Sequence, residues 1–288
     1  MKFAIAGASL GRFAEPQPAI QLARAAEAHG FESLWTADRV AIATEDSTSS
    51  PYSDSQQRAA DMVAYPDSLV WIAHVAAATT SLRFGTGVLL APLYDPVLLA
   101  RAATSVDRLS DGRFQLGVGL GWSRASYETL GVPWTERGAR LDDCIGAMRA
   151  LWSGELASYD GRFTRFERIR SNPRPIQPGG VPIVVGGHSR TAAARAGRVG
   201  DGYYIGGHDF DALPDLVDIM RSSARDAGRD PDAIEVTYTG DWEPDTARRY
   251  ADAGIHRMAL PPPRVELGEL DDHLARYHEQ TIAPLDHA

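Results

Sequence analysis

The sequence predicts an α/β fold, a (β/α)8 TIM barrel, built as one domain over residues 1–288. Three observations lead there. Short apolar runs alternate with amphipathic stretches along the chain, and eight strand-then-helix units can be counted, the number that closes a barrel of parallel strands. No composition break divides the 288 residues. At 31.2 kDa, with 44% hydrophobic and 23% charged residues, the chain can bury one large core. A doubly wound open sheet is the alternative, which a miscounted strand would restore.

Residues 3–8 form the first expected strand. Residues 18–29 follow as a helix, with Ile20, Ala23 and Ala26 at helical spacing and Gly30 as the stop. Residues 33–36 are the second strand, running into Ala37, Asp38 and Arg39. The polar stretch 42–64 is long for a connection inside a compact domain and is expected to be a functional loop or lid. Residues 66–79 are helical, 82–90 the third strand with Gly85 and Gly87 inside it, and 96–109 a helix closed by Asp111 and Gly112. Residues 113–119 are the fourth strand and 135–152 a long fourth helix. An irregular excursion over 153–180 follows, punctuated by Pro173, Pro175, Pro178 and the pair Gly179-Gly180. Strands at 181–185, 203–205, 234–238 and 256–260 then alternate with helices at 190–197, 213–227, 246–253 and 267–280.

Composition excludes several chemistries. The net charge of −9 and a pI near 5.4 argue against a nucleic-acid partner. Of the 29 Lys and Arg side chains only Lys2 is a lysine, so no lysine serves a P-loop or a Schiff base. Cys144 stands alone, which excludes an internal disulfide, a cysteine zinc site and an iron–sulfur cluster. No apolar run approaches the roughly 18 residues of a membrane span, and the start of the chain leads straight into a strand. The expectation is a cytoplasmic protein with a small-molecule substrate and neither nucleic acid nor membrane as partner.

In either α/β architecture the site lies at the carboxyl ends of the strands. Gly186-Gly187-His188-Ser189 joins a strand to a helix start. Glycines admit close backbone approach, and a helix N-terminus presents N–H groups and positive dipole, which suits a phosphate. An ordinary tight turn with a serine cap explains the run equally well. Gly117-Val118-Gly119-Leu120-Gly121 resembles a dinucleotide fingerprint but fails its spacing, so room for backbone or a ring is the better reading. Gly7-Ala8-Ser9-Leu10-Gly11 matches a nucleophile elbow literally but ends the first strand, which is the wrong place for one. Asp38-Arg39 could orient a polar ligand, although a loop-closing ion pair is the simpler explanation. His208, Asp209 and Asp211 are better explained by an acidic helix start than by a metal, and no metal site is expected. Cys144 shares an apolar face with Leu141, Ile145 and Met148 and is expected to be core.

Five stretches together resemble the bacterial luciferase-like monooxygenase superfamily, and within it the coenzyme F420-dependent oxidoreductases of actinobacteria. They are AAEAHGFESLWTAD at 25–38, ATTSLRFGTGVLLAPLYDP at 78–96, LSDGRFQLGVGLGW at 109–122, LGVPWTERGARLDD at 130–143 and PIVVGGHSRTAAARAGRVGDG at 182–202. The resemblance implies a barrel with the excursion after helix 4 as an insertion, and a flavin or deazaflavin across its mouth. It implies a non-proline cis peptide in the third strand, whose bulge backs the ring system, at Gly87-Val88. It places the cofactor phosphate at Gly186, Gly187, His188 and Ser189, and Asp38 near the deazaflavin edge. It also suggests a homodimer. Two departures stand out. F420-dependent members commonly carry a histidine where this chain has Arg39, and the sugar-phosphate dehydrogenase branch carries a glutamate where this chain has Trp122. The substrate and proton-transfer scheme of that branch therefore do not carry over.

The function expected is F420-dependent hydride transfer to or from a small organic substrate. Asp38 and Arg39 are the candidate catalytic residues, and Trp122, Tyr127 and Trp242 the candidate pocket walls. An FMN-dependent monooxygenase is the alternative, and a non-catalytic F420- or flavin-binding protein is an alternative of another class.

Overall fold

In the computed structural model the residues described are 1–40, 64–207, 210–240 and 247–286. Eight parallel strands close a barrel: β1 (Lys2–Ala6), β2 (Ser33–Thr36), β3 (Arg83–Thr86), β4 (Phe114–Val118), β7 (Ile183–Gly186), β8 (Gly202–Gly206), β9 (Glu235–Thr239) and β10 (Arg257–Leu260). They pair in chain order, and β10 closes on β1 with Phe3 opposite Met258. The fold expected from the sequence is the fold found.

Period-two alternation of the strands separates two cores. Phe3, Ile5, Leu34, Ile183, Val185, Tyr203, Ile205 and Met258 face outward into the layer shared with the helices. Ala4, Trp35, Val184, Tyr204 and Ala259 face inward and, with Ala6 and Val88, fill the barrel lumen.

The helices are α1 (Pro16–Ala28), α2 (Ser68–Ala76), α3 (Pro96–Leu109), α4 (Arg124–Thr129), α5 (Arg137–Ser153), α6 (Arg190–Val199), α7 (Leu213–Asp226), α8 (Ala247–Asp252), α9 (Leu270–Tyr277) and α10 (Ala283–Asp286). Local chemistry sets their starts. Asp67 caps α2 by accepting from the amides of Leu69 and Val70, and Asp95 caps α3 by accepting from those of Val97 and Leu98. Pro16 and Pro96 occupy the first helical position, where no amide donor is needed. Such a cap contributes about 1 kcal/mol. The stop expected at Gly30 is real, with φ at +76°.

Two elements differ from the sequence reading. The excursion after α5 is not wholly irregular: β5 (Ala157–Asp160) and β6 (Arg165–Ile169) form an antiparallel hairpin outside the barrel. Its polar, arginine-rich second arm hid the strand pattern. The helix α4 was also missed, because six residues are too few for a periodic signal; Ser123 caps it by accepting from the Ser126 amide. Among the described residues no helix is long and apolar enough to cross a membrane.

The amino ends of the strands form the barrel floor, where charge is fully paired. Arg257, the second largest of the fully buried side chains, donates from Nε and Nη2 to Glu32 (2.7 and 3.0 Å) and from Nη1 to Thr237 Oγ1 (2.8 Å). It also pairs with Glu235, which Lys2 meets from the other side. Burial alone would push the Glu235 carboxyl up, but Arg257 and Lys2 hold it below its ordinary range.

Candidate active site at the barrel mouth

At the carboxyl ends of the strands the inward positions are small. Ala6, Gly119, Gly186 and Gly206 leave the mouth wide. The Val88 side chain projects into this ring. A methyl added at Gly119 or at Gly186 would stand 2.5 Å from a Val88 methyl, so both glycines are needed for Val88 to lie there. Gly117 has the same logic on the backbone: a methyl there would stand 1.8 Å from the Thr86 carbonyl oxygen. The glycines after β4 therefore give room, as the sequence suggested, and do not build a dinucleotide loop.

The peptide between Gly87 and Val88 is cis, at the position the resemblance implied. The ladder changes partners around it. The Gly87 amide donates to the Thr36 carbonyl (2.9 Å) on the β2 side, and the Leu89 amide donates to the Gly117 carbonyl (2.9 Å) on the β4 side. The strand expected over 82–90 thus ends as regular structure at Thr86 and continues as a bulge carrying Val88 into the mouth.

Asp38 follows β2. Its Oδ2 accepts from the Leu90 amide (3.1 Å), which ties it to the segment just past the bulge. Burial pushes its carboxyl up, the Leu90 hydrogen bond opposes this, the charge of Asp67 adds to the rise, and the result is about 6. Tyr94 belongs to the same group: burial raises its hydroxyl, and the charges of Asp38 and Asp67 raise it further. Arg39 follows Asp38 and reaches toward the segment after β4. Its guanidinium lies 5.0 Å from the Trp122 ring centre and 5.3 Å from that of Tyr65, a cation–π arrangement joining the segments after β2 and β4.

Gly187 takes φ of +137° and donates its amide to the Tyr204 carbonyl (3.0 Å), which fixes the Gly186–Ser189 turn to β8. Ser189 Oγ accepts from the Ala192 amide (3.2 Å) and caps α6. His188 and Ser189 are exposed, at a helix start that presents its first-turn N–H groups outward. The serine cap that the sequence offered as one reading of this run is made.

One expected role changes and two readings hold. Tyr127 is fully buried, its hydroxyl donates to the Leu120 carbonyl (2.5 Å), and its ring meets Trp134 edge-on. It braces the segment after β4 from behind and offers no surface to a ligand. Ser9 is also fully buried, its Oγ accepting from the Ala37 amide (3.4 Å), so it is no exposed nucleophile. Cys144 is core as expected, its thiol pushed up to about 12, chiefly by burial. Trp242, His208, Asp209 and most of the expected lid at 42–64 lie outside the described residues. Among the described residues no cluster of His, Cys, Asp or Glu could hold a metal ion. Sequence reasoning missed Tyr65 and Tyr204. Only the helix-capping Asp67 beside them left a local signal, an acid set just before an apolar helix.

The fold and site define a class: a parallel barrel with a bulged third strand, a glycine-lined mouth and an anion-suited turn after β7. The model of the luciferase-like monooxygenase family matches residues 3–281, and the chain belongs to that family. An uncharacterised protein of Mycobacterium tuberculosis is 36% identical over 238 residues, 82% of each chain. An F420-dependent glucose-6-phosphate dehydrogenase of Nocardia farcinica is 30% identical over 243 residues, 81% of this chain and 67% of that one. Among solved structures, an F420-dependent secondary alcohol dehydrogenase in complex with an F420-acetone adduct superposes with a TM-score of 0.79 at 16% identity. The match covers 96% of this chain and 97% of that one.

Proposed function

We propose that this chain is an F420-dependent oxidoreductase that moves a hydride between C5 of the deazaflavin and a carbon of a small organic substrate. The observation that carries the reading is the place of Val88, set on the bulge after β3 between Gly119 and Gly186. It gives a flat ring an apolar backing inside a mouth otherwise cleared of side chains. Gly186, Gly187, His188 and Ser189 suit the cofactor phosphate, because the turn is glycine-rich, exposed and backed by the start of α6. The relatives named for F420 chemistry support the same cofactor.

The bound deazaflavin supplies the hydride-carrying carbon; the chain supplies position, charge and a proton site. Asp38 holds a proton at its carboxyl up to about pH 6 and sits beside the bulge, so it is the candidate donor or acceptor of the substrate proton. Arg39 keeps its charge throughout, which suits it to an anionic substrate group or a developing oxyanion and not to proton transfer. Trp122 stacks on Arg39 and serves as a wall.

An FMN-dependent monooxygenase is the second reading, favoured by the family's own description. Titration of the protein with oxidised F420 and, separately, with FMN, followed by tryptophan fluorescence, separates the two. Micromolar or tighter F420 binding with FMN silent is expected. FMN binding with F420 silent would transfer the protein to the oxygen-using branch, and binding of neither would remove the cofactor assignment.

A further inference from the structure

The register of the barrel sets Gly186 opposite Tyr204, Tyr204 opposite Thr237, and Thr237 opposite Arg257. This row crosses four strands from mouth to floor. Tyr204 is its central side chain, almost fully buried in the lumen. Its ring centre lies 5.1 Å from that of Trp35, and Trp35 in turn rests 5.4 Å from the Arg257 guanidinium. Trp35 cannot shift sideways easily. Its Nε1 donates to Ser33 Oγ (2.9 Å), and a methyl at Gly85 would stand 2.5 Å from its ring. The floor below is locked by the paired charges on Arg257.

The upper end of this column meets the site twice. A methyl added at Gly87 would stand 3.2 Å from the Tyr204 hydroxyl and 3.3 Å from its Cζ, so the phenol tip lies directly against the cis peptide. The Tyr204 carbonyl accepts the Gly187 amide. One residue therefore touches both the bulge and the turn after β7, elements that arrive from distant parts of the chain.

We propose that Tyr204 is a positioning residue that holds the Gly87–Val88 bulge and the Gly186–Ser189 turn at a fixed separation, so that a ring and its phosphate tail are received together. The function of that spacing rests on the F420 reading, but the brace itself can be tested without cofactor. The ring does the bracing, because its stack on Trp35 is what places the phenol tip.

The test compares wild type with Tyr204→Leu, Tyr204→Phe and Tyr203→Phe. Tyr203 is the control: the adjacent residue on the same strand, it faces the helices instead of the lumen. Amide hydrogen exchange is followed on peptides covering 84–90 and 184–190 without cofactor, and F420 affinity is measured by fluorescence. Tyr204→Leu is expected to speed exchange in both segments and to weaken F420 about tenfold. Tyr204→Phe restores both, and Tyr203→Phe changes neither. Unchanged exchange in Tyr204→Leu overturns the brace, as does faster exchange with unchanged affinity. If wild type binds no F420, the cofactor reading falls, and the exchange comparison still decides the brace. Should Tyr204→Leu fail to fold, Tyr204→Met is read in its place: faster exchange in both segments is expected, and unchanged exchange overturns the brace.

Discussion

The floor and the mouth of the barrel are built on opposite rules. At the floor Arg257 is buried and meets Glu32, Glu235 and Thr237, with Lys2 completing the set. At the mouth the inward positions are mostly glycine and alanine around Val88, and the half-buried acid, Asp38, accepts from the Leu90 amide and faces a second acid in Asp67. The floor spends its polar groups on one another. The mouth keeps its inward positions small and its acid without a basic partner among the described residues. Conserving a closed end and opening the other is how one barrel can be both stable and reactive.

The comparison breaks most visibly at Arg257. Arg257→Met takes the buried guanidinium from the half-buried Glu32 and Glu235, leaving them only Arg83 and Lys2, and is expected to cost about 1–3 kcal/mol in urea unfolding at pH 7. The Glu235 carboxyl is held low in the folded chain, so the stabilisation it gains from Arg257 is present above its ordinary range and lost as pH falls. The deficit of the variant should therefore shrink in acid. A deficit independent of pH would deny the floor its electrostatic role.

Asp38 gives the reverse sign. Its folded pKa of about 6 lies above its ordinary value of 3.8, so its favourable contribution is complete below 3.8 and is lost as pH rises through 6. Asp38→Asn is expected to stabilise the protein at pH 8, by on the order of 2–3 kcal/mol. It should also abolish any limb near pH 6 in the rate profile. A variant that keeps that limb would show that another group carries the proton.

Smaller effects sharpen the contrast. Gly119→Ala sets a methyl 2.5 Å from Val88 and should cost about 1–3 kcal/mol by overpacking. F420 affinity should fall with it, since Val88 must move. Intact affinity would mean that Val88 backs nothing. Tyr203→Phe removes a buried hydroxyl that has no hydrogen-bond partner among the described residues and is expected to raise stability by up to about 1 kcal/mol, read from the denaturation midpoint.

What was legible in the sequence follows the same division. The barrel was legible because eight apolar runs and their helices are local signals. The bulge at Gly87 was legible only through the resemblance, since a glycine in a strand has several uses. Glycines announce room without saying what fills it: Val88 as the occupant between Gly119 and Gly186 needed the structure. The stack of Arg39 on Trp122 was out of reach for another reason. The two residues belong to different loops, and a cation–π contact leaves no spacing rule between them. It joins the two positions at which the resemblance implied a histidine and a glutamate. Tyr204 was read as a strand residue and no more, because its importance comes from register. Tyr127 misled because an aromatic near a mouth can brace as well as line.

Lys2 has a use that has nothing to do with folding. It is the chain's sole lysine and stands at the start of β1, on the floor. An amine-directed linker that reacts with a side chain can therefore attach only there. A sensor surface or resin coupled through amines would carry every molecule floor-down, with the mouth turned to solution and each one presented alike.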